Sequence, residues 1–156
     1  MKRNFWKAAI WAGVIAAMVM LIFEMILNPL VLNNSMWGPV RMMGAILLGS
    51  GVLPPPATFD FGVTLAALAV HLPLSIVFAV IIGYLVRKTT TGTGIVIGAV
   101  IGLVLYFINF YGFTALFPWF ANARNWVQIV IHILFGVAVV WSFNAIYRIK
   151  PVAETN

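Results

Sequence analysis

Two histidines are the residues of this sequence best suited to chemistry, because each lies in a long apolar stretch. His132 follows Gln128 by four residues, so both lie on one face of a helix. His71 lies in an earlier apolar stretch, at a comparable predicted depth. Two neutral imidazoles from different helices can bind a haem iron from both sides. Each ring could instead form an internal hydrogen bond, for example with Asn109 or with the carbonyl that Pro73 frees in its own helix.

The few charged residues beside the apolar stretches form a second candidate group. Glu24 and Asp60 balance Arg41 and Arg124 in number. An ionised group in lipid is costly unless it is paired, so we expect Glu24 to pair with Arg41 or Arg124. Such a pair would hold the bundle together; alternatively, the carboxylate could bind a cation, relay protons, or form a metal site with the two histidines. The predicted polar cluster consists of Glu24, Arg41, Asp60, Asn109, Arg124 and Gln128.

The elements that must position these side chains are four long apolar helices. Of the 156 residues, 63% are hydrophobic and 8% are charged, whereas a soluble domain has roughly 25% charged residues. The sequence therefore predicts an all-α fold, an integral membrane four-helix bundle in a single domain. The predicted spans are residues 6–27, 61–86, 94–115 and 126–147.

The segment between the first two spans is apolar but too short to cross a bilayer. We expect residues 39–48 to form an interfacial or re-entrant helix, with Pro39 in its first turn. Asn28 and Pro29 are predicted to end the first span, and Asp60 is a plausible N-cap of the second.

Small residues recur every four positions in two of the spans. Ala9, Gly13 and Ala17 form a smooth stripe on the first span, and Gly94, Gly98 and Gly102 form one on the third. Such stripes let helix backbones approach closely. The simplest prediction is that the two stripes pack against each other within one chain, and the alternative is a contact with a second copy or a partner subunit.

The distribution of Lys and Arg predicts the orientation, because basic residues favour the cytoplasmic side. With both chain ends inside, most of the basic residues lie on the cytoplasmic side. These are Lys2, Arg3, Lys7, Arg87, Lys88, Arg148 and Lys150, against Arg41 and Arg124 outside. Since the charges lie at the ends of apolar segments, the net charge of +6 does not indicate nucleic-acid binding.

The most distinctive stretch is the aromatic hairpin between the third and fourth spans. It contains the motifs Asn109-Phe110-Tyr111-Gly112-Phe113, Phe117-Pro118-Trp119-Phe120 and Arg124-Asn125-Trp126, followed by His132. This pattern resembles small four-helix bacterial inner-membrane proteins, a group with no activity to transfer. The resemblance implies a location in the bacterial inner membrane.

The sequence contains no pairing of nucleophile and base, no phosphate loop and no zinc motif, and the absence of cysteine excludes thiolate chemistry. We therefore expect a protein that is not an enzyme and has no metal. The leading hypothesis is an accessory or structural membrane protein, embedded in the lipid bilayer beside other subunits or copies of itself. The alternatives are a haem b electron carrier that uses His71 and His132, and a small transporter or channel with an outward-facing polar pocket.

Overall fold

The computed structural model describes residues 3–147, and this part of the chain is helical with connecting turns and no strand. The α-helices are α1 (Arg3–Leu32), α2 (Gly38–Leu48), α3 (Phe61–Val86), α4 (Thr91–Phe107) and α5 (Trp126–Tyr147). Short 3₁₀ turns cover Ser50–Val52, Phe113–Ala115 and Pro118–Ala123, and a π-helical turn covers Ile108–Gly112. Four helical segments are long and apolar enough to cross a membrane: Asn4–Leu32, Phe61–Val86, Thr91–Ala115 and Trp126–Tyr147. Lys2, Arg148 and Lys150 of the orientation prediction lie outside the described residues, as does the side chain of Arg3.

Polar side chains cap the helices where the sequence changes from turn to apolar run. The Asp60 carboxylate accepts from the Val63 amide at 2.8 Å, which confirms its prediction as the α3 N-cap. Thr90 caps α4 in the same way, accepting from Thr93 at 3.2 Å. Asn125 accepts from the Gln128 amide at 3.1 Å, at the start of α5. These caps satisfy amides that the first helical turn leaves without partners.

The prediction that Asn28 and Pro29 end the first helix is wrong. Helix α1 continues to Leu32, and the chain leaves it through Asn33, which has a φ of 52°. Asn tolerates this left-handed conformation better than most residues. Pro29 lies only one turn from the helix end, so its missing amide removes one hydrogen bond near the terminus instead of breaking the helix.

Helix α5 is the central helix of the bundle, with α1, α3 and α4 packed around it and α2 packed on α3. The ring of Phe5 lies 5.6 Å from that of Phe143, while Glu24 contacts Gln128, so α1 and α5 run antiparallel. The start of α1, the end of α3 and the start of α4 therefore meet at one end, which we call the basic end. The opposite end, which holds α2 and residues 108–125, is called the hairpin end.

The glycine stripe of α4 packs within the chain, but its partner is α5, so the predicted contact with the stripe of α1 is wrong. A Cβ atom at Gly98 would lie 2.6 Å from the Gly136 carbonyl oxygen, and one at Gly102 would meet the carbonyl of His132. Residues 98, 102 and 136 must therefore be small for the two backbones to touch. Hydropathy and spacing show that a face is smooth but do not indicate which helix covers it.

The small-residue stripe of α1 faces α3 instead, and α1 also packs against α5. A Cβ atom at Gly13 would lie 2.6 Å from the Cα atom of Ile76 in α3. Ala9 and Ala17 are fully buried beside it. This close approach brings the backbone of α1 within reach of side chains on α3, which determines the environment of His71.

Candidate functional site

A cavity of about 770 Å³ occupies the hairpin end of the bundle. Its walls are α1, α3, α4 and α5, and its cover is formed by α2 and the aromatic hairpin. At the basic end, the first turn of α4 contacts Val86 of α3. Toward the hairpin end, the cavity lies between α3 and α4. Most of the wall is apolar, with Met and Phe side chains that include Met42, Phe110 and Phe120.

Helix α4 widens into a π-helical turn at Ile108–Gly112, at the level of the cavity. Such turns add a residue to a helical turn and often occur at functional sites. Asn109 lies in this turn, and its side-chain nitrogen lies 3.1 Å from Nε2 of His132. The hydrogen bond between Asn109 and a histidine, one of the alternatives that the sequence leaves open, is therefore present.

His132 is buried and held by two hydrogen bonds. Its Nδ1 lies 2.8 Å from the backbone carbonyl of Gln128, one turn earlier in α5. Tyr106 and Phe110 contact the ring edge to face, with centroids 5.9 Å and 5.4 Å from it. Gln128 thus positions the imidazole as its spacing predicts, but through its backbone and not through its side chain.

The carboxylate of Glu24 is buried and bound by two side-chain amides. Asn28 donates to Oε2 at 2.6 Å and also to the Glu24 carbonyl at 2.8 Å. Gln128 donates to the same Oε2 from α5 at 2.9 Å. Glu24, Asn28 and Gln128 therefore link α1 to α5 by hydrogen bonds, and all three line the cavity.

His71 lies on the α3 side of the same cavity, so the structure brings both predicted histidines to one site. Its Nε2 lies 3.2 Å from the Ala17 carbonyl on α1. The sequence had suggested the carbonyl freed by Pro73 as a partner, but α1 approaches closely enough at Gly13 to supply a different one.

The predicted ion pair of Glu24 with Arg41 or Arg124 is wrong. Arg41 donates to the carbonyls of Thr58 and Val52 at 3.0 Å and 2.7 Å, which fastens α2 to the connector that follows it. Irregular backbone leaves carbonyls without helical partners, and a guanidinium can reach several of them at once.

Arg124 has a similar role in the hairpin. It donates to the Phe110 carbonyl at 2.7 Å and to the Thr114 hydroxyl at 3.2 Å, and its guanidinium lies 4.3 Å from the centre of the Tyr111 ring. The predicted polar cluster therefore divides in two. Glu24, Gln128 and Asn109 line the cavity, whereas Arg41, Asp60 and Arg124 hold the surrounding backbone.

The alternative metal site of Glu24, His71 and His132 is not formed. Within residues 3–147, no three His, Cys, Asp or Glu side chains come close enough together to hold a metal ion. For haem, each histidine already uses Nε2 in a hydrogen bond, so ligation through that atom would require these bonds to break.

Asn28 is the site residue that the sequence interpretation missed. The sequence predicts that Asn28 and Pro29 end the first span, because the residue before a proline disfavours the helical conformation. The available signal was its spacing, since Asn28 follows Glu24 by four residues and can therefore reach it on a continuous helix.

Comparison of the chain with protein-family models, curated proteins and solved structures finds no match. The resemblance to small four-helix inner-membrane proteins stays a prediction.

Proposed function

We propose that this is an integral membrane protein that binds a small, largely apolar molecule within the bilayer and serves as a transporter or carrier for it. The observation that carries this proposal is the cavity of about 770 Å³, with buried polar side chains on an otherwise apolar wall. Ligand pockets typically measure about 300–1,000 Å³ and combine an apolar lining with a few placed polar groups. The accessory role favoured by composition alone stays a prediction and does not by itself account for this cavity.

The proposed orientation has both chain ends in the cytoplasm and the cavity in the outer half of a bacterial inner membrane. Lys7, Arg87 and Lys88 lie at the basic end, and this supports a cytoplasmic location for that end. The cavity lies at the opposite end, so a ligand would reach it from the outer leaflet or the outer surface.

A haem b carrier is the second candidate, favoured by the position of His71 and His132 on one cavity. Binding of haem through Nε2 would break the hydrogen bonds of both histidines. A haem carrier therefore has less support than a protein whose ligand leaves these bonds intact. An absorption spectrum of protein from a haem-sufficient host shows whether haem is bound, since bound haem gives a Soret band. His71→Ala or His132→Ala would abolish that band.

Native mass spectrometry in mild detergent, with extraction of the bound small molecules, tests the proposed function. Ala69 lines the cavity, so Ala69→Trp should fill part of it and reduce ligand occupancy. Leu65, one turn earlier in α3, is 58% exposed and does not line the cavity, so Leu65→Trp is the matched control. A wild-type protein without bound molecules, or equal occupancy in both variants, would contradict the proposal.

A further inference from the structure

The hydrogen atoms in the cavity can be assigned because several partners are backbone carbonyls, which only accept hydrogen bonds. Nδ1 of His132 contacts the Gln128 carbonyl and must therefore carry a hydrogen. In the neutral ring Nε2 is then an acceptor, so Asn109 must present its amide nitrogen there. The Asn109 carbonyl oxygen is then directed away from His132 and accepts no hydrogen bond from the described residues.

The same reasoning applies to His71. Its Nε2 contacts the Ala17 carbonyl and must donate to it. Nδ1 of the neutral ring is then an acceptor, and it has no partner in the described part of the chain.

Glu24 determines the orientation of the other two amides. Asn28 and Gln128 both donate from their amide nitrogens to Oε2 of the Glu24 carboxylate. Their carbonyl oxygens then face away; that of Gln128 is buried without a partner. Oε1 of Glu24 itself accepts no hydrogen bond from residues 3–147.

Five unpartnered acceptors therefore line the cavity: Glu24 Oε1, Asn28 Oδ1, Gln128 Oε1, Asn109 Oδ1 and His71 Nδ1. Ser75, Asn34 and Asn122 also line it, and their hydroxyl and amide groups can donate as well as accept. The described residues that line the cavity include one carboxylate and no Lys or Arg. Of the five acceptors, Gln128 Oε1 is itself buried, and a buried acceptor without a donor is unfavourable. A ligand that brings hydrogen-bond donors and positive charge would therefore complete the site.

We propose that the ligand is a protonated amine with an apolar body, and that Glu24 is its counter-ion. This inference rests on the proposed function and names the chemical class of its ligand. The ammonium group donates to Glu24 Oε1 and to neighbouring amide oxygens, in charge-assisted hydrogen bonds. The apolar body lies among the Phe and Met side chains, and aromatic faces also attract a cation. An anionic ligand would meet the carboxylate and the unpartnered oxygens, and should therefore bind more weakly than a cation.

Three compounds with the same body test the inference: 4-phenylbutylamine, 4-phenylbutan-1-ol and 4-phenylbutanoate. Their binding to the full chain is measured by isothermal titration calorimetry in mild detergent near pH 7, where a simple amine is protonated. We expect the amine to bind at least about tenfold more tightly than the alcohol, and the carboxylate to bind most weakly. The trimethylammonium analogue separates charge from hydrogen bonding, and it should bind less tightly than the amine.

Glu24→Gln should weaken binding of the amine about tenfold or more and leave binding of the alcohol within about threefold. Asp60→Asn is the matched control, because Asp60 does not line the cavity and Asn remains a good N-cap. If Glu24→Gln does not fold, the comparison of the compounds on the wild-type protein still tests the inference. Alcohol binding equal to amine binding would overturn the assignment of a cation while leaving the cavity a ligand site. Absence of binding by all four compounds would contradict the proposed function as well.

Discussion

Asn144 is buried in α5, and neither its side-chain nitrogen nor its oxygen has a hydrogen-bond partner in the described structure. A buried amide without partners is costly, because it gives up its bonds to water and gains none in exchange. The cavity does not include this residue, so its amide contributes nothing to the proposed ligand site.

Replacing Asn144 with Leu, which has the same number and branching of side-chain heavy atoms, should therefore raise the free energy of unfolding by about 1–3 kcal/mol. Thermal unfolding in detergent measures the change. Gln128→Leu is the contrasting variant, since Gln128 also has an unpartnered oxygen but donates to buried Glu24. That variant should lower the unfolding temperature. If Asn144→Leu lowers it as well, the side chain has a partner that the bundle of residues 3–147 does not supply.

Much of the site could be predicted from residue type and spacing. Gln128 and His132 share a helix face, and polar groups in an apolar segment must satisfy one another. The prediction that failed was the ion pair of Glu24 with an arginine. Net charge balance suggested an ion pair with Glu24, but Arg41 and Arg124 lie beside irregular backbone whose free carbonyls are closer partners. A sequence indicates which charges are available but not where turns leave carbonyls exposed.

The contact between α4 and α5 depends on three glycines, 98, 102 and 136, at which the two backbones touch. Gly98→Ala should lower the stability of the bundle by about 1–3 kcal/mol, because its methyl group would lie 2.6 Å from a backbone carbonyl that cannot rotate away. Gly92→Ala is the matched control in the first turn of the same helix, where an added Cβ meets nothing within 4 Å. It should be neutral or stabilising, since Ala favours helix. Equal effects of the two substitutions on thermal unfolding would contradict the packing role.

The hairpin depends on Arg124, which binds the Phe110 carbonyl at the π-helical turn and stacks on Tyr111. Arg124→Lys keeps the charge but removes the planar, branched donor set. We expect it to increase proteolysis or hydrogen exchange of residues 108–125 while α1 and α3 keep their protection. Lys88→Arg, at the basic end, is a control that should change neither region. Unchanged exchange in the hairpin of Arg124→Lys would show that charge alone suffices.

The helices themselves were predicted closely, since α3 and α5 match the expected residues 61–86 and 126–147. Length and apolar content determine such segments directly. The π-helical turn was not predicted, because residues 108–112 continue the helical run of α4 without a Pro, and Asn109 and Gly112 do not by themselves distinguish a π-helical turn from an α-helical one. The helix partners were not predicted either, because close packing depends on three-dimensional fit.

At the scale of the whole molecule, the proposed orientation can be tested by labelling, since the natural chain has no cysteine. Gly51→Cys lies at the hairpin end and Gly92→Cys at the basic end, and a Cβ at either position meets nothing within 4 Å. A membrane-impermeant maleimide should label position 51 in intact spheroplasts and position 92 only after lysis. The reverse pattern would invert the orientation and place the cavity in the cytoplasmic half.

Helix α1 has 30 residues, and the part after Lys7 is about 37 Å long against about 30 Å for the hydrocarbon core of a bilayer. Its last turns are not a polar extension, because Ile26, Leu30 and Val31 are exposed and apolar. In the proposed orientation the helix accommodates this hydrophobic mismatch by tilting, by kinking or by residing in a locally thicker bilayer. Lipid acyl-chain length should therefore act on the tilt of the helix that carries Glu24, and so on the width of the cavity beside it.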